Sequence, residues 1–414
     1  MKILWVATNF LHPTNKGGLI RTLGILRHLS ARHEIHYVAY ADPEHPEGPE
    51  RAGEYSARAY PYRFSIIDKR SFRFAGQLAA GLFSSVPLAI SRFRSEELKQ
   101  SLEELVRRER FDRVVADFLV ATDYCPGLPN CVLFQHNVET MIWRRRAEHA
   151  RDPLRKWFFG LQAERMFAYE RAACRAVGRI IAVSASDAGL MHTLFGVDHI
   201  SEIPTGVDVD YFSPQAAAEP FADLVFIGSM DWLPNVEGVR YIVSEVLPLI
   251  RRRRPECTFA IVGRTPPPGI AELAERDPYI RVTGTVPDVR PSLWGSAVSV
   301  VPLRIGGGTR LKIYESMAAG VPVVSTSVGA EGLDVHPPDD IRIADRPEEF
   351  AAHCLELLEN RDEHRRIAER AREMVAANFS WQRVAALFAQ VLEKAPSASG
   401  PVSDAVTSRA VRDA

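Results

Sequence analysis

The chain has no long hydrophobic run. No stretch approaches the roughly 18 apolar residues that a membrane-spanning helix needs, so an integral membrane protein is not expected. Residues 1–9, MKILWVATN, lack the apolar core of a secretion signal and pass directly into polar sequence. Cysteine is scarce: the five, at 125, 131, 174, 257 and 354, show no paired metal spacing. That excludes a disulfide scaffold and a cysteine-built metal site, and predicts reduced thiols in a cytoplasmic setting. Charge of one sign is missing too. With 51 Lys and Arg against 52 Asp and Glu the net charge is -1, which carries no general nucleic-acid footprint.

What is present is ordinary for a globular protein: 46% hydrophobic and 25% charged residues over 414 positions. That length exceeds what one core normally serves, so two domains are expected. Apolar runs at 3–7 and 35–39 flank a segment, 17–31, with Leu19, Leu23, Leu26 and Leu29 at helical spacing. Further strands are predicted at 114–116, 131–134, 180–184 and 200–203, with a long helix over 154–174. The alternation predicts an α/β, doubly wound first domain over 1–211. Prolines 214 and 220 mark a connection, and the pattern restarts at 224–228, with a helix over 236–250 and strands at 259–262, 280–283, 298–301 and 321–325. This second α/β domain is predicted to reach 378. A helix with an apolar stripe (Trp381, Val384, Leu387, Phe388, Val391) fills 379–395, and the Ser, Ala, Gly and Pro-rich 396–414 is a disordered tail. Residues 60–95 interleave cations with aromatics, as in Tyr62, Arg63, Phe64, Lys69 and Arg70. They are read either as a peripheral contact with the inner face of a membrane or as a helix packed on the first domain.

The chemistry is expected where strands end. Lys16, Gly17 and Gly18 follow the first strand and open the first helix, where backbone amides can hold an oxygen-rich ligand or form a tight turn. Gln135, His136, Asn137 and Glu139 follow an apolar strand. The His136 ring is expected to donate to, or take a proton from, a substrate hydroxyl, and Glu139 to cap a turn or orient a neighbour. No second histidine or cysteine stands at metal spacing from it, so no metal is called for. Gly228 and Ser229 end the first strand of the second domain. Either Ser229 and the amides touch phosphate, or Asp231 and Asn235 make this an ordinary turn and helix cap. Arg264 ends another strand, with a fork suited to pyrophosphate or a salt bridge.

The densest signal is 300–329, in which a strand gives way to Gly306, Gly307 and Gly308, then Thr309, Arg310 and Leu311, and a helix carrying Lys312 and Glu315. The amides and Arg310, beside the glycines, are expected on phosphate. Lys312 cannot point the same way as Arg310 and shares a face more nearly with Glu315. Glu315 is expected to accept hydrogen bonds from ribose hydroxyls.

These residues resemble the retaining, nucleotide-sugar-dependent glycosyltransferases of family 4, with the GT-B fold, nearest to their surface-polysaccharide subgroup. The resemblance rests on FIGSMDWLPN (226–235), IVGR (261–264), TGTVPDVR (283–290) and VPLRIGGGTRLKIYESMAAGVPVVST (301–326), with AVSASD, IPTGVD and AEGL in support. It implies two Rossmann-like domains facing across a cleft, an N-terminal acceptor half and a C-terminal donor half, with the last helix crossing back. It also implies a nucleoside diphosphate sugar donor and a glycan, lipid-linked or small-molecule acceptor. No permanently bound cofactor and no metal are implied. His136 matches the histidine that relatives place near the transferred sugar, and Gly17 and Gly18 match their phosphate-side loop.

Three family contacts depart. Relatives carry two acidic residues eight positions apart; the second corresponds to Glu315, and the first falls on Gly307. An arginine and a lysine that relatives place on pyrophosphate are Ser229 and Asn235 here. The expected replacements are the amides of 306–309 with Arg264 and Arg310. Two other readings stand beside transfer: a sugar-nucleotide or glycan binder with an eroded site, and an epimerase on the same plan.

Overall fold

The computed structural model describes residues 1–14, 16–63, 81, 84–125, 127–150, 152–215, 218–305 and 311–395. The calls on 64–80, on 306–310 and on the tail 396–414 lie outside the described residues. By its internal contacts the chain divides into two compact units, Met1–Pro204 with Ala385 onward, and Thr205–Val384. The break therefore falls at Pro204, ahead of the proline-marked connection.

The first unit is built on a seven-stranded parallel sheet in the order β3-β2-β1-β4-β5-β6-β7. Its strands are β1 (Lys2–Asn9), β2 (Glu34–Ala41), β3 (Arg58–Arg63), β4 (Arg113–Asp117), β5 (Cys131–Gln135), β6 (Arg179–Ala182) and β7 (Ile200–Glu202). Continuous apolar runs make the inner strands. Ile3 to Val6 and Cys131 to Phe134 are all 0% exposed, as strands covered on both faces must be. The strand β3 was not expected: residues 58–63, RAYPYR, belong in part to the stretch read as an amphipathic element. They form an edge strand, where Pro61 lacks a ladder donor at little cost. The chain after Ala385 packs on this sheet. Phe388 lies 5.4 Å from Trp5 and 5.1 Å from Phe134 between ring centroids, and Arg113 Nε and Nη2 donate to the carbonyls of Leu392 and Glu393. Those bonds satisfy two carbonyls that the end of a helix leaves open.

The second unit carries a six-stranded parallel sheet, β10-β9-β8-β11-β12-β13. The strands are β8 (Ala222–Ile227), β9 (Phe259–Val262), β10 (Ile280–Gly284), β11 (Ser296–Val301), β12 (Val323–Ser325) and the short β13 (Arg342–Ile343). The helix expected over 236–250 begins earlier, at Leu233, and is not uniform. Leu233–Tyr241 is α-helical, Ile242–Val246 widens to a π turn, and Leu247–Arg251 resumes. In each sheet the strand order reverses once, between β1 and β4 and between β8 and β11. Loops diverge at such a point and leave a crevice at the carboxyl ends of the strands. Both sets of candidate residues lie at these two points.

Candidate functional site

In the first unit the helix Gly17–Leu29 starts just beyond β1, with Lys16 extended in the capping position and no side-chain cap. A Cβ on Gly17 would meet nothing within 4 Å, whereas one on Gly18 would fall 2.5 Å from Cζ of Phe118. Phe118 follows β4 with φ 69° and ψ 155°. That conformation belongs almost wholly to glycine and costs on the order of 1–3 kcal/mol. It is held by the Phe118 amide donating to the carbonyl of Phe134 at 3.0 Å. It is also held by stacking on His136, with ring centroids 3.8 Å apart and planes 10° apart.

His136 is only 3% exposed, and both its ring nitrogens are engaged. Arg21 Nη1 lies 3.0 Å from Nδ1, and Asp117 Oδ1 lies 2.6 Å from Nε2. A guanidinium has only donors, so Nδ1 accepts and Nε2 donates its proton to Asp117. The other oxygen of Asp117 accepts from Trp5 Nε1 at 3.0 Å and from Thr22 Oγ1 at 2.9 Å. Burial pushes the imidazole below its ordinary range; the carboxylate of Asp117 opposes that, and Arg21 adds to it. Burial also brings Arg21 down to about 10. Both ring nitrogens thus meet protein partners, and the ring braces Phe118 and the strand end. Phe118, Asp117 and Arg21 were not singled out, because no local pattern joins positions that only the sheet order brings together.

Glu139 begins the helix Glu139–His149, and it is not the group that caps it. Glu170, from the helix Pro153–Ala176, accepts from the amides of Glu139 (2.9 Å) and Thr140 (2.8 Å), from Thr140 Oγ1 (2.5 Å) and from Gln135 Nε2 (2.7 Å). A carboxylate from a second helix thus supplies the cap. Burial, and then the charge of Glu170, push the Glu139 carboxyl up to about 7.

In the second unit the turn after β8 is stitched to the end of β9. Gly228 N donates to Val262 O and Met230 N to Arg264 O, each at 2.9 Å, and a Cβ on Gly263 would sit 1.8 Å from the Gly228 carbonyl oxygen. Arg264 Nε donates to Ser229 Oγ at 2.8 Å, Ser229 Oγ donates to Asp231 Oδ1 at 2.6 Å, and Arg264 Nη2 stands 3.4 Å from Asp231 Oδ2. The Ser229 proton is therefore committed to Asp231, and the salt bridge weighed for Arg264 is present. Asn235 Nδ2 holds the Ser229 carbonyl at 2.7 Å, which makes Asn235 a strut of the turn.

The helix Leu311–Ala318 follows β11. It turns Ile313, Tyr314 and Met317 into the core and leaves Leu311, Lys312 and Glu315 partly exposed. Lys312 Nζ donates to Asn235 Oδ1 at 3.1 Å and lies 4.3 Å from the centre of the Phe226 ring. Burial pushes the Glu315 carboxyl up to about 7, against the opposing charge of Lys312. The structure thus gathers Gly228, Ser229, Asn235, Arg264 and Lys312 around one turn. Gly306, Gly307, Gly308, Thr309 and Arg310 are not among the described residues. Among the described residues no cluster of His, Cys, Asp and Glu suits a metal ion, and no helix is long and apolar enough to cross a membrane.

Two family models match the chain: Glycosyltransferase Family 4 over residues 17–211 and Glycosyl transferases group 1 over 222–360. Among curated proteins it is 29% identical to the MMP alpha-(1->4)-mannosyltransferase of Mycolicibacterium hassiacum, over 59% of this chain and 60% of that one. It is 30% identical to the O-antigen chain mannosyltransferase B of Escherichia coli, over 38% and 42% respectively. The match thus spans less than two thirds of each relative's length. Two solved structures share the fold. Sucrose-phosphate synthase from Thermosynechococcus elongatus has a TM-score of 0.67 at 16% identity, over 95% of this chain and 98% of that one. Anabaena HepE in complex with UDP has a TM-score of 0.66 at 14% identity, over 95% and 100%. With family models covering both units and two parallel sheets of matching plan, the chain belongs to the family 4 glycosyltransferases of GT-B fold.

Proposed function

We propose that the protein transfers a hexosyl group from a nucleoside diphosphate sugar to an acceptor hydroxyl, with retention, in the assembly of a polysaccharide or glycolipid. The observation that carries this reading is the strand-end turn of the second unit. A glycine turn and the cations Arg264 and Lys312 stand together at the β8/β11 reversal, with Glu315 on the same helix as Lys312. Glu315 accepts hydrogen bonds from the donor ribose, while Arg264 and the segment 306–310 serve the diphosphate. The acceptor, a glycan, a lipid-linked sugar or a small molecule, is assigned to the first unit beside Gly17, Gly18 and Phe118. The mannosyltransferase names of two relatives and the UDP held by a fold neighbour support the sugar and nucleotide classes.

In the proposed reaction the bond from the anomeric carbon to the diphosphate oxygen breaks, and the acceptor oxygen bonds to the same face of that carbon. The departing phosphate takes the acceptor proton. Fixed cations and amides stabilise the negative charge that grows on the leaving group. No step is routed through a metal or a resident cofactor. The setting proposed is the cytoplasmic side of a membrane, with peripheral contact through residues 60–95.

A screen of UDP- and GDP-sugars by mass spectrometry, following both donor hydrolysis and transfer to candidate glycans, tests the proposal. Turnover of one donor is expected. Tight nucleotide binding with no turnover on any acceptor would favour the binder reading, which Gly307 supports by lacking a carboxylate. No nucleotide binding by calorimetry would sink both.

A further inference from the structure

We propose that the facing ends of two helices in the first unit, Glu139–His149 and Pro153–Ala176, form a docking surface for an anionic lipid bilayer. Leu154 and Trp157 enter the headgroup layer, and the cations around them meet lipid phosphates. The inference rests on the reading of the protein as peripheral to a membrane, and places an anchor outside residues 60–95. Its first support is exposure. Leu154 is 72% exposed and Trp157 57%, and among the described residues of the first unit no other large apolar side chain is left exposed. They stand three positions apart in the first turn of their helix, so they share a face. That turn is well formed, because Asp152 Oδ1 accepts from the Arg155 amide at 2.7 Å. A tryptophan, with an apolar body and one N–H donor, suits the boundary between lipid tails and water.

The second support is charge. Arg144, Arg145, Arg146, Arg155 and Lys156 stand here against two acidic residues, Glu148 and Asp152, and Asp152 is already the helix cap. Trp143 lies 6.2 Å from Phe159 between ring centroids, which lays the end of one helix along the start of the next. Arg144 is 5.3 Å from the centre of the Phe167 ring and Arg146 is 5.0 Å from that of Trp143. An aromatic face orients a guanidinium without cancelling its charge. The hairpin thus brings a small apolar tip and an excess of positive charge to one end.

This combination selects the occupant. A second copy would set the patch against itself in a two-fold interface, cations against cations. The core of a specific protein interface is depleted in charged residues, lysine among them. An anionic bilayer offers a low-polarity layer for two side chains and many phosphates that need no one-to-one pairing. Among the described residues no helix is long and apolar enough to cross a membrane, so the contact proposed is with its surface.

The test is co-sedimentation of the full chain with vesicles of phosphatidylcholine alone and of phosphatidylcholine mixed with phosphatidylglycerol. It compares wild type with Leu154→Ser/Trp157→Ser and Arg155→Glu/Lys156→Glu. Wild type is expected to bind the anionic vesicles at least tenfold more tightly than the neutral ones, and to lose that preference as salt rises. Each double variant should weaken the anionic binding at least tenfold. All four side chains are exposed, so both variants should keep the wild-type circular dichroism. If the serine pair loosens the hairpin, the charge-reversed pair decides alone. Anionic binding within twofold of wild type in a folded variant overturns the inference and leaves membrane contact to another surface. Wild-type binding that ignores lipid charge also overturns it, as does lipid-independent self-association that Leu154→Ser/Trp157→Ser abolishes. If wild type binds neither vesicle, the peripheral reading itself fails, and this inference with it. Turnover is not read in any arm, so the transferase reading stands or falls separately.

Discussion

Arg21 Nη1 sits 3.0 Å from His136 Nδ1, and that contact decides which ring nitrogen carries the proton. With Nδ1 accepting, Nε2–H points to Asp117, and the neutral ring becomes a fixed plate beneath Phe118. The His136 pKa lies below its ordinary value of 6.5 because the ring is buried. Unfolding lets it bind a proton that the folded state refuses, so its contribution to stability is lost as pH falls through about 6.5 and below. Histidine nitrogen spectra of labelled protein should show the neutral Nε2–H tautomer at pH 7. The Arg21→Met protein should show a histidine titrating at higher pH and a slower transfer rate. A His136 resonance that titrates above 6.5 in wild type would contradict this network.

Gly18 and Phe118 form the next testable pair. A methyl group at position 18 would come within 2.5 Å of the Phe118 ring, which is already pinned between His136 and a strained backbone. Overpacking of this kind costs about 1–3 kcal/mol. Gly18→Ala should therefore lower the unfolding midpoint and the turnover of transfer together, whereas Gly17→Ala, with open space around it, should leave the midpoint nearly unchanged. Urea unfolding of the two variants measures the difference.

The course of the chain explains what the sequence disclosed and what it hid. Strands β1, β4, β5, β8 and β9 carry continuous apolar runs, and in β2 and β11 only His36 and Ser299 interrupt them; burial on both faces leaves that mark on an inner parallel strand. The edge strand β3, RAYPYR, carries no such mark because one side meets solvent and Pro61 breaks the pattern. Gly228 and Arg264 were legible as positions because each stands at a strand end, and Gly17 and Gly18 because they open the helix after β1. Their partners were not. Asp117 meets His136 because β4 and β5 pair side by side, whereas Arg21 reaches His136, and Lys312 reaches Asn235 across 77 residues, because the strand order reverses between β1 and β4 and between β8 and β11. Glu170 likewise looked like one charge among many on a long helix, yet it is 0% exposed and caps a neighbour.

That capping role predicts a large loss on truncation. Glu170→Ala leaves the amides of Glu139 and Thr140, the Thr140 hydroxyl and the Gln135 amide without their acceptor. Each unsatisfied buried donor costs about 1–3 kcal/mol, so a destabilisation of at least about 3 kcal/mol is expected. Glu170→Gln keeps one acceptor oxygen and should recover part of it. Removing the neighbouring negative charge should also let the Glu139 carboxyl fall from about 7 towards its ordinary value. Denaturant titration and carboxyl carbon shifts report the two effects separately.

Glu315 offers a pH-dependent handle on the proposed donor site. Its carboxyl is raised from 4.5 to about 7 by burial, with Lys312 opposing the rise. The folded protein therefore binds this proton more tightly than the unfolded chain does between those values. Its stabilising effect is complete below about pH 4.5 and is lost as pH climbs through about 7. A shift of that size corresponds to a cost of up to about 3 kcal/mol in the ionised protein at alkaline pH. Glu315→Gln, which cannot ionise, should thus raise the unfolding free energy at pH 8.5 and change it little at pH 4.5. The Lys312→Met variant should show the reverse, losing stability most where Glu315 is charged. Nucleotide binding gives the functional counterpart: Glu315→Gln keeps one acceptor oxygen but not the charge, so its affinity for the nucleoside part should fall about tenfold. Unfolding curves at the two pH values, read beside nucleotide titrations, check both; a stability difference independent of pH would mean that the Glu315 carboxyl is not raised in the folded protein.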